Sequence, residues 1–312
     1  MVTTDKMPKK TKLAPIRVPD AELRRWSAKS PLGFSFAKIW SRHMPRGKGW
    51  VPRKLGRLVG QDWRITIPTS MGAQLAVDPQ NLDVYTTITR KDGVWEQNVL
   101  TACRAITKAG DVFFDIGANA GWVSVEMSKA FGGSLTLCAF EPQPTLARMV
   151  ATSFQLNGFG KSSVYRLMLG NEEGEAELFI PAHSIHASAI SREAGADKIA
   201  VPMMTLDRLI ADGELPSPNV IKIDVEGGEL DVFKGAAETI RKQPPLIIFE
   251  SDYNTDRFGY DRAALCAYLG ELAAYQFFYV DELGQFLSAD DLGNPDFDNL
   301  LALPPGVELP RV

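Results

Sequence analysis

Four carboxylates at the ends of apolar segments could do chemistry together in this chain. Asp115, Glu141, Asp224 and Glu250 each end a run of apolar residues that is typical of a buried strand. In an open parallel sheet the carboxyl ends of the strands meet at one edge, where ligands bind. Packing alone does not explain four acids there, because an unpaired buried carboxylate is costly. The pattern predicts a ligand site at that edge.

The segment around the first of these acids is the most specific one. Residues 112–121 read VFFDIGANAG, which indicates an apolar strand, an acid, a glycine turn and the start of a helix. Such a turn lets a ligand lie against bare backbone at a helix N-terminus. Glu141 ends the next apolar run, where an acid can accept both hydroxyls of a ribose. Together the two segments predict half of a nucleotide-binding site.

The spacing of the glycines discriminates between nucleotides. A dinucleotide site needs G-x-G-x-x-G, whose middle glycine lets a pyrophosphate approach the backbone. Here Asn119 holds that place, and its side chain would crowd a pyrophosphate. The chain also lacks a Walker loop and the Tyr-x-x-x-Lys pair of a short-chain dehydrogenase. A ligand without phosphates fits better, so we predict S-adenosylmethionine (SAM), with NAD(P) and a purely structural turn as the alternatives.

Composition is that of a soluble globular protein. The chain has 312 residues, of which 45% are hydrophobic and 23% charged, enough for one large α/β domain with additions. We expect a cytoplasmic protein, because no apolar run is long enough to span a bilayer and no signal-peptide core is present. Cys103, Cys138 and Cys266 lack metal-binding spacing and indicate buried thiols in a reducing compartment.

Charge divides the chain into a basic arm and an acidic body. Residues 1–60 carry 15 Lys and Arg against 3 Asp and Glu, whereas residues 61–312 carry 19 against 35. Basic residues interleaved with Trp26, Trp40 and Trp50 suit an anionic membrane or glycan, which would make the protein peripheral to the membrane. Alternatively the arm docks on the acidic body of its own or a sister subunit, the latter giving a homo-oligomer. Nucleic acid is disfavoured, because the body repels phosphates.

Three regions follow from these patterns. We predict a partly disordered arm over 1–60, a hairpin and helix over 61–108 that pack on the catalytic domain, and a SAM-binding domain over 109–312. The hairpin spans 63–67 and 74–77, a segment at 83–89 follows, and the helix spans 96–108.

Beyond residue 109 strand and helix patterns alternate, which predicts an α/β fold with a doubly wound, mostly parallel sheet. The predicted strands are 112–116, 135–140, 163–169, 220–224, 246–250, 276–280 and an antiparallel 298–303, with a hairpin at 175–180 and 199–203. The predicted helices are 121–131, 143–157, 206–211, 228–241 and 261–273.

A second specific segment, IKIDVEGGE at residues 221–229, carries Lys222, Asp224 and Glu226 into a Gly-Gly turn before a helix. With it, the chain resembles the FkbM-type family of class I SAM-dependent methyltransferases. The matching segments are GVWE (93–96), 110–121, AFEP (139–142), LGNEEG (169–174), TLD (205–207), 221–227 and IIFE (247–250). The family's Ser-Ser-Leu element is only loosely matched by ASAI at 187–190.

The resemblance implies a seven-stranded, Rossmann-like SAM-binding sheet and, usually, O-methylation. It implies a hydroxyl of a saccharide, glycolipid or natural product as the acceptor. In cofactor binding it implies that the turn holds the amino-acid part of SAM, that Asp115 orients the turn and that Glu141 binds the ribose. The full set of expected cofactor-binding residues is Asp115, Gly117, Asn119, Gly121, Glu141, Pro142, Leu169 and Asp224.

The implied reaction is an in-line displacement at the methyl of a sulfonium. The protein must align the acceptor oxygen and exclude water, and a base helps because a sugar hydroxyl is a weak nucleophile. The candidates for this polar role are Asp224, Glu226, Glu250 and His186. Structural alternatives exist for most of them: Asp224 and Glu226 can cap a helix, Lys222 can pair with one of these two acids, and His183 and His186 can be solvated loop histidines.

Three further hypotheses stay open. A divalent ion such as Mg²⁺ on Asp224, Glu250 and Asp252 is a less favoured alternative. A nucleic-acid or other N-directed methyltransferase would carry Asn/Asp-Pro-Pro-Tyr/Phe after the fourth strand, where this chain reads DVEG (224–227). A non-catalytic protein that keeps the fold is disfavoured by the intact acids at the strand ends.

Overall fold

The computed structural model describes residues 13–24, 26, 65–77, 95–180, 197–251 and 258–310. The predicted segment 83–89, the loop with His183, His186 and residues 187–190, and Asp252 lie outside these ranges.

Thirteen strands are assigned within the described ranges. They are β1 (Ile65–Pro68), β2 (Gln74–Val77), β3 (Val112–Ile116), β4 (Thr136–Phe140), β5 (Ser162–Tyr165), β6 (Met168–Leu169), β7 (Gly174–Ile180), β8 (Asp197–Met204), β9 (Val220–Ile223), β10 (Leu246–Glu250), β11 (Gln276–Val280), β12 (Phe286–Ser288) and β13 (Asn299–Leu303). The helices there are α1 (Asp20–Leu23), α2 (Gln97–Ile106), α3 (Trp122–Ala130), α4 (Pro144–Leu156), α5 (Leu206–Ala211), α6 (Glu229–Gly235), α7 (Ala237–Lys242) and α8 (Arg262–Leu272).

The central sheet confirms the predicted doubly wound α/β fold. Within the described ranges its order is β12-β11-β13-β10-β9-β3-β4-β5, and the five strands from β10 to β5 are parallel. β13 is antiparallel to both β10 and β11, as the predicted return strand requires. The sheet has eight strands rather than the expected seven. The additional strand, β12, forms a hairpin with β11 at the outer edge.

Successive strand residues pack on opposite faces of the sheet, which gives three layers. Phe113 of β3 belongs to the apolar cluster that α2, α3 and α4 cover. Phe114 and Ile116 point to the other cluster, which α5, α6, α7 and α8 cover. This period of two on a strand buried on both faces explains why the strands read as continuous apolar runs.

Two predicted elements are divided in the structure. The predicted strand 163–169 splits, because β5 pairs with β4 in the central sheet whereas β6 pairs with β8 in a separate three-stranded sheet, β6-β8-β7. The predicted helix 228–241 breaks at Ala236 into α6 and α7. Asp207 caps the new start, since its carboxylate accepts the N–H groups of Glu238 at 2.9 Å and Thr239 at 2.7 Å.

The N-terminal residues that the structure describes lie against the edge of the central sheet. The N–H of Ile16 donates to the carbonyl of Val164 in the edge strand β5 at 2.9 Å. Val18, which is buried, donates its N–H to the side chain of Gln155 at 2.8 Å. This segment covers one sheet edge that would otherwise expose unpaired backbone groups. Among the described residues, no helix has the length and apolar character needed to cross a membrane.

Candidate active site

The glycine turn after β3 is built by backbone that approaches other backbone closely. Gly117 has φ +80°, and a Cβ there would stand 1.7 Å from the carbonyl oxygen of Asp224. The N–H groups of Gly117 and Ala118 both donate to the carbonyl of Phe140 at 3.0 Å. Asn119 is also left-handed, with φ 51°, a conformation that Asn tolerates better than most residues. The turn therefore joins the carboxyl ends of β3, β4 and β9.

Glu141 follows β4 and holds this turn by a hydrogen bond to its backbone. It is 4% exposed, and its two carboxylate oxygens accept the N–H groups of Asn119 and Gln143, each at 2.8 Å. Burial raises the pKa of Glu141 to about 8, although these two backbone N–H groups oppose the shift. A carboxylate oxygen accepts two hydrogen bonds, so each oxygen retains a place for a ligand hydroxyl.

A cavity of about 160 Å³ opens at this edge of the sheet. Its apolar lining includes Leu167 and, from the three-stranded sheet, Leu169, Leu178 and Met203. Its polar lining includes Asn119, Glu141, Asp224 and Glu226. The Oδ1 atom of Asn119 is buried without a hydrogen-bond partner among the described residues, so it can accept from a ligand.

Lys222 lies behind this edge among carboxylates. Its ammonium is 3.2 Å from Oδ2 of Asp224 and 3.6 Å from Oδ1 of Asp115, and it donates to the carbonyl of Gly117 at 3.3 Å. Oδ2 of Asp115 accepts the hydroxyl of Ser124 at 2.5 Å. Lys222 thus ties the end of β9 to the glycine turn, and its ion pair with Asp224 is one that the sequence predicts.

Glu96 joins the same group from the start of α2, and the sequence pattern had given it no role. Its backbone is left-handed, with φ 44°, and its carboxylate accepts the indole N–H of Trp95 at 2.6 Å. Burial raises the pKa of Glu96, opposed by Lys222 and reinforced by Asp224 and Asp115. Burial by itself would lower the pKa of Lys222, but the three carboxylates together raise it well above its ordinary value.

The predicted site residues fall into three groups in the structure. Those that line the cavity are Gly117, Asn119, Glu141, Pro142, Leu169, Asp224 and Glu226. Asp115 is buried beside Lys222, and Gly121 precedes the first residue of α3. Glu250 ends β10 opposite Asn299 of β13 and is not among the cavity-lining residues, so its catalytic role stays a prediction.

His186 and Asp252 lie outside the described ranges, so their roles stay predictions as well. Within those ranges, no group of three His, Cys, Asp or Glu side chains is placed to hold a metal ion. Cys103, Cys138 and Cys266 are all buried and free, as expected.

The sequence matches the family model described as the methyltransferase FkbM domain over residues 115–286. The chain belongs to the FkbM methyltransferase family. A curated relative, the hexuronic acid methyltransferase AglP of Haloferax volcanii, is 25% identical over 206 residues, which cover 64% of this chain and 82% of that protein. This FkbM-family chain is therefore a SAM-dependent methyltransferase.

Solved methyltransferase structures resemble this FkbM-family chain at low identity. The methyltransferase FkbM from Methylobacillus flagellatus KT is 17% identical with a TM-score of 0.45; the match covers 72% of this chain but only 54% of that one, just over half its length. The O-methyltransferase TomG from Streptomyces achromogenes, solved in complex with SAM, is 10% identical with a TM-score of 0.38, covering 89% and 92% of the two chains.

SAM is the cofactor of this family member, and the cavity residues fit it. The unpartnered acceptor of Asn119 suits a donor group, and the spare acceptor positions of Glu141 suit a ribose diol. The acids that line the cavity complement a ligand that carries a sulfonium and an ammonium.

The first prediction concerns the ribose contact. Glu141→Ala removes the acceptor oxygens for both ribose hydroxyls, so we expect the SAM dissociation constant to rise by roughly 10- to 150-fold, or about 1.5–3 kcal/mol. Isothermal titration calorimetry with SAM and the folded variant measures this dissociation constant. Glu271→Ala, which removes an exposed acid at the end of α8, is the control and should bind SAM as the wild type does. Unchanged affinity in Glu141→Ala would exclude the ribose role.

Proposed function

We propose that this enzyme transfers the methyl group of SAM to a hydroxyl of a saccharide acceptor. The observation that carries the proposal is the pair of carboxylates, Asp224 and Glu226, that line the same cavity as Asn119 and Glu141. Carboxylates are strong acceptors for the hydroxyl donors of a sugar. The similarity to a protein named a hexuronic acid methyltransferase supports the choice of a saccharide.

The proposed chemistry divides between the cofactor and the chain. When bound, SAM supplies an electrophilic methyl group on a sulfonium. Asp224 orients the acceptor hydroxyl and takes its proton, a role that Lys222 supports by holding the carboxylate at 3.2 Å. Glu226, Glu250 and His186 stay as further candidates for the base. Most of the acceleration then comes from alignment, since two bound reactants are held in a productive geometry.

The direct test is a reaction with ¹³C-methyl-labelled SAM and defined acceptors: a neutral hexoside, a hexuronoside, a glycolipid and single-stranded DNA. We expect a labelled methyl ether on a saccharide, which survives mild alkali. A product that mild alkali releases would be a methyl ester on a carboxyl group and would contradict hydroxyl methylation. Methylated DNA would favour the N-directed alternative instead.

A substitution separates catalysis from cofactor binding. In Asp224→Asn we expect turnover to fall by roughly 100- to 10,000-fold, because the proton acceptor is lost. The SAM dissociation constant should rise far less than turnover falls, because Asp224 is one of several expected SAM-binding residues and Asn119 and Glu141 are intact. The matched control is Asp231→Asn, which also lines the cavity but pairs with Lys234 at 3.5 Å on the surface of α6. Equal turnover in the two variants would remove Asp224 from the mechanism.

A further inference from the structure

The loop that carries the two candidate carboxylates is held in a conformation that its sequence disfavours. Glu226 has φ 60° and Gly227 has φ 106°, so two successive residues are left-handed. Only Gly adopts this region at little cost, and a Glu there persists when the surrounding structure fixes it. Asp224, Val225, Glu226 and Gly228 of this loop all line the cavity. The contacts that hold the loop therefore also set the shape of the site.

Glu229, the first residue of α6, makes two of these contacts. It is 1% exposed, and its Oε1 atom accepts the N–H groups of Val225 and Gly227, each at 3.2 Å. These two N–H groups flank Glu226 along the chain. One buried oxygen thus fixes both sides of the left-handed residue.

Tyr260, just before α8, contacts the same loop. Its hydroxyl contacts the carbonyl of Gly227, the N–H of Leu230 at 3.2 Å and Oε2 of Glu229 at 3.3 Å. Phe258, two residues earlier, lines the cavity, so the same segment reaches both the loop and the site.

The Tyr260 hydroxyl carries one proton, and the Gly227 carbonyl and Oε2 of Glu229 both lie where they can accept it. The same hydroxyl oxygen accepts the N–H of Leu230. Tyr260 therefore links the loop carbonyl, the first turn of α6 and the Glu229 side chain.

Burial shifts the pKa of both side chains. Burial raises the pKa of Glu229 to about 7; its backbone hydrogen bonds oppose the shift, and Asp224 adds to it. Burial likewise raises the pKa of Tyr260, and Glu229 and Asp231 reinforce that effect, so the phenol keeps its proton.

We propose that Glu229 and Tyr260 are positioning residues that hold the 224–228 loop in place for methyl transfer. This inference rests on the proposed role of Asp224 in that transfer. It assigns no contact with SAM or acceptor to either residue. Both act through the backbone of the loop.

The first test deletes the phenol hydroxyl. In Tyr260→Phe we expect kcat to fall by roughly 100-fold, the loss that a misplaced catalytic group causes. KM and the SAM dissociation constant should change little. The control is Tyr275→Phe, which deletes a hydroxyl that donates to the carbonyl of Pro245 at 2.9 Å in another buried place. A kcat loss in Tyr260→Phe no larger than in Tyr275→Phe would overturn the proposal.

A structural readout keeps this inference separable from the proposed function. Amide hydrogen exchange at Val225 and Gly227 needs no acceptor, and we expect it to accelerate at least 10-fold in Tyr260→Phe but not in Tyr275→Phe. If the wild type methylates no saccharide, the proposed function fails. Amide hydrogen exchange then still tests whether Tyr260 holds the 224–228 loop. Equal protection of these amides in the two variants overturns the proposal.

Discussion

The Lys222→Met variant is expected to lose about 3–5 kcal/mol of unfolding free energy near pH 7.5. Lys222 is 4% exposed and lies within 3.6 Å of Asp115 and 3.2 Å of Asp224, with Glu96 nearby. Removing the positive charge that balances them leaves buried carboxylates that repel one another. Urea unfolding followed by circular dichroism measures the loss.

Two comparisons make this expectation specific. Lys234→Met breaks a surface ion pair with Asp231 in which both side chains are more than 40% exposed, so it should cost less than about 1 kcal/mol. Lowering the pH should reduce the difference in unfolding free energy between Lys222→Met and the wild type. A carboxyl whose pKa is raised in the folded state, as for Glu96, destabilises that state as pH rises above its unfolded value. If Lys222→Met loses no more unfolding free energy than Lys234→Met, or if its loss grows toward pH 5, Lys222 does not stabilise the fold by balancing these carboxylates.

The central strands could be predicted from the sequence because each carries its own signal. β3 and β10 are apolar runs buried on both faces, and their observed bounds are the predicted ones. β12 gave no such signal, since it has three residues, is largely exposed and is defined only by its pairing with β11. The break at Ala236 was not predictable for a similar reason. Its cap comes from Asp207, about thirty residues earlier in the chain.

The same division holds within the site. The glycine turn and Glu141 could be inferred, because the turn is local and the acid follows it by a fixed spacing. Glu96 and Tyr260 could not, since both acquire their partners through tertiary packing. The Tyr260 contacts span about 30 positions of the chain, and Glu96 reaches Lys222 across more than a hundred. A short motif predicts a backbone shape well, but it does not report which distant side chains hold that shape.

Gly117→Ala should be the most damaging single methyl group that can be added to the glycine turn. A Cβ there would stand 1.7 Å from the Asp224 carbonyl, and φ is +80°. Gly110→Ala is the matched control, because its φ of +91° is equally unfavourable but its Cβ would meet nothing within 4 Å. Gly110→Ala introduces backbone strain alone and should lose about 1–2 kcal/mol of unfolding free energy. Gly117→Ala adds the collision with the Asp224 carbonyl and should lose more than about 4 kcal/mol. SAM binding should vanish only in Gly117→Ala, since that collision forces the turn away from the end of β9. Similar stability and SAM affinity in the two variants would show that the turn does not depend on this contact.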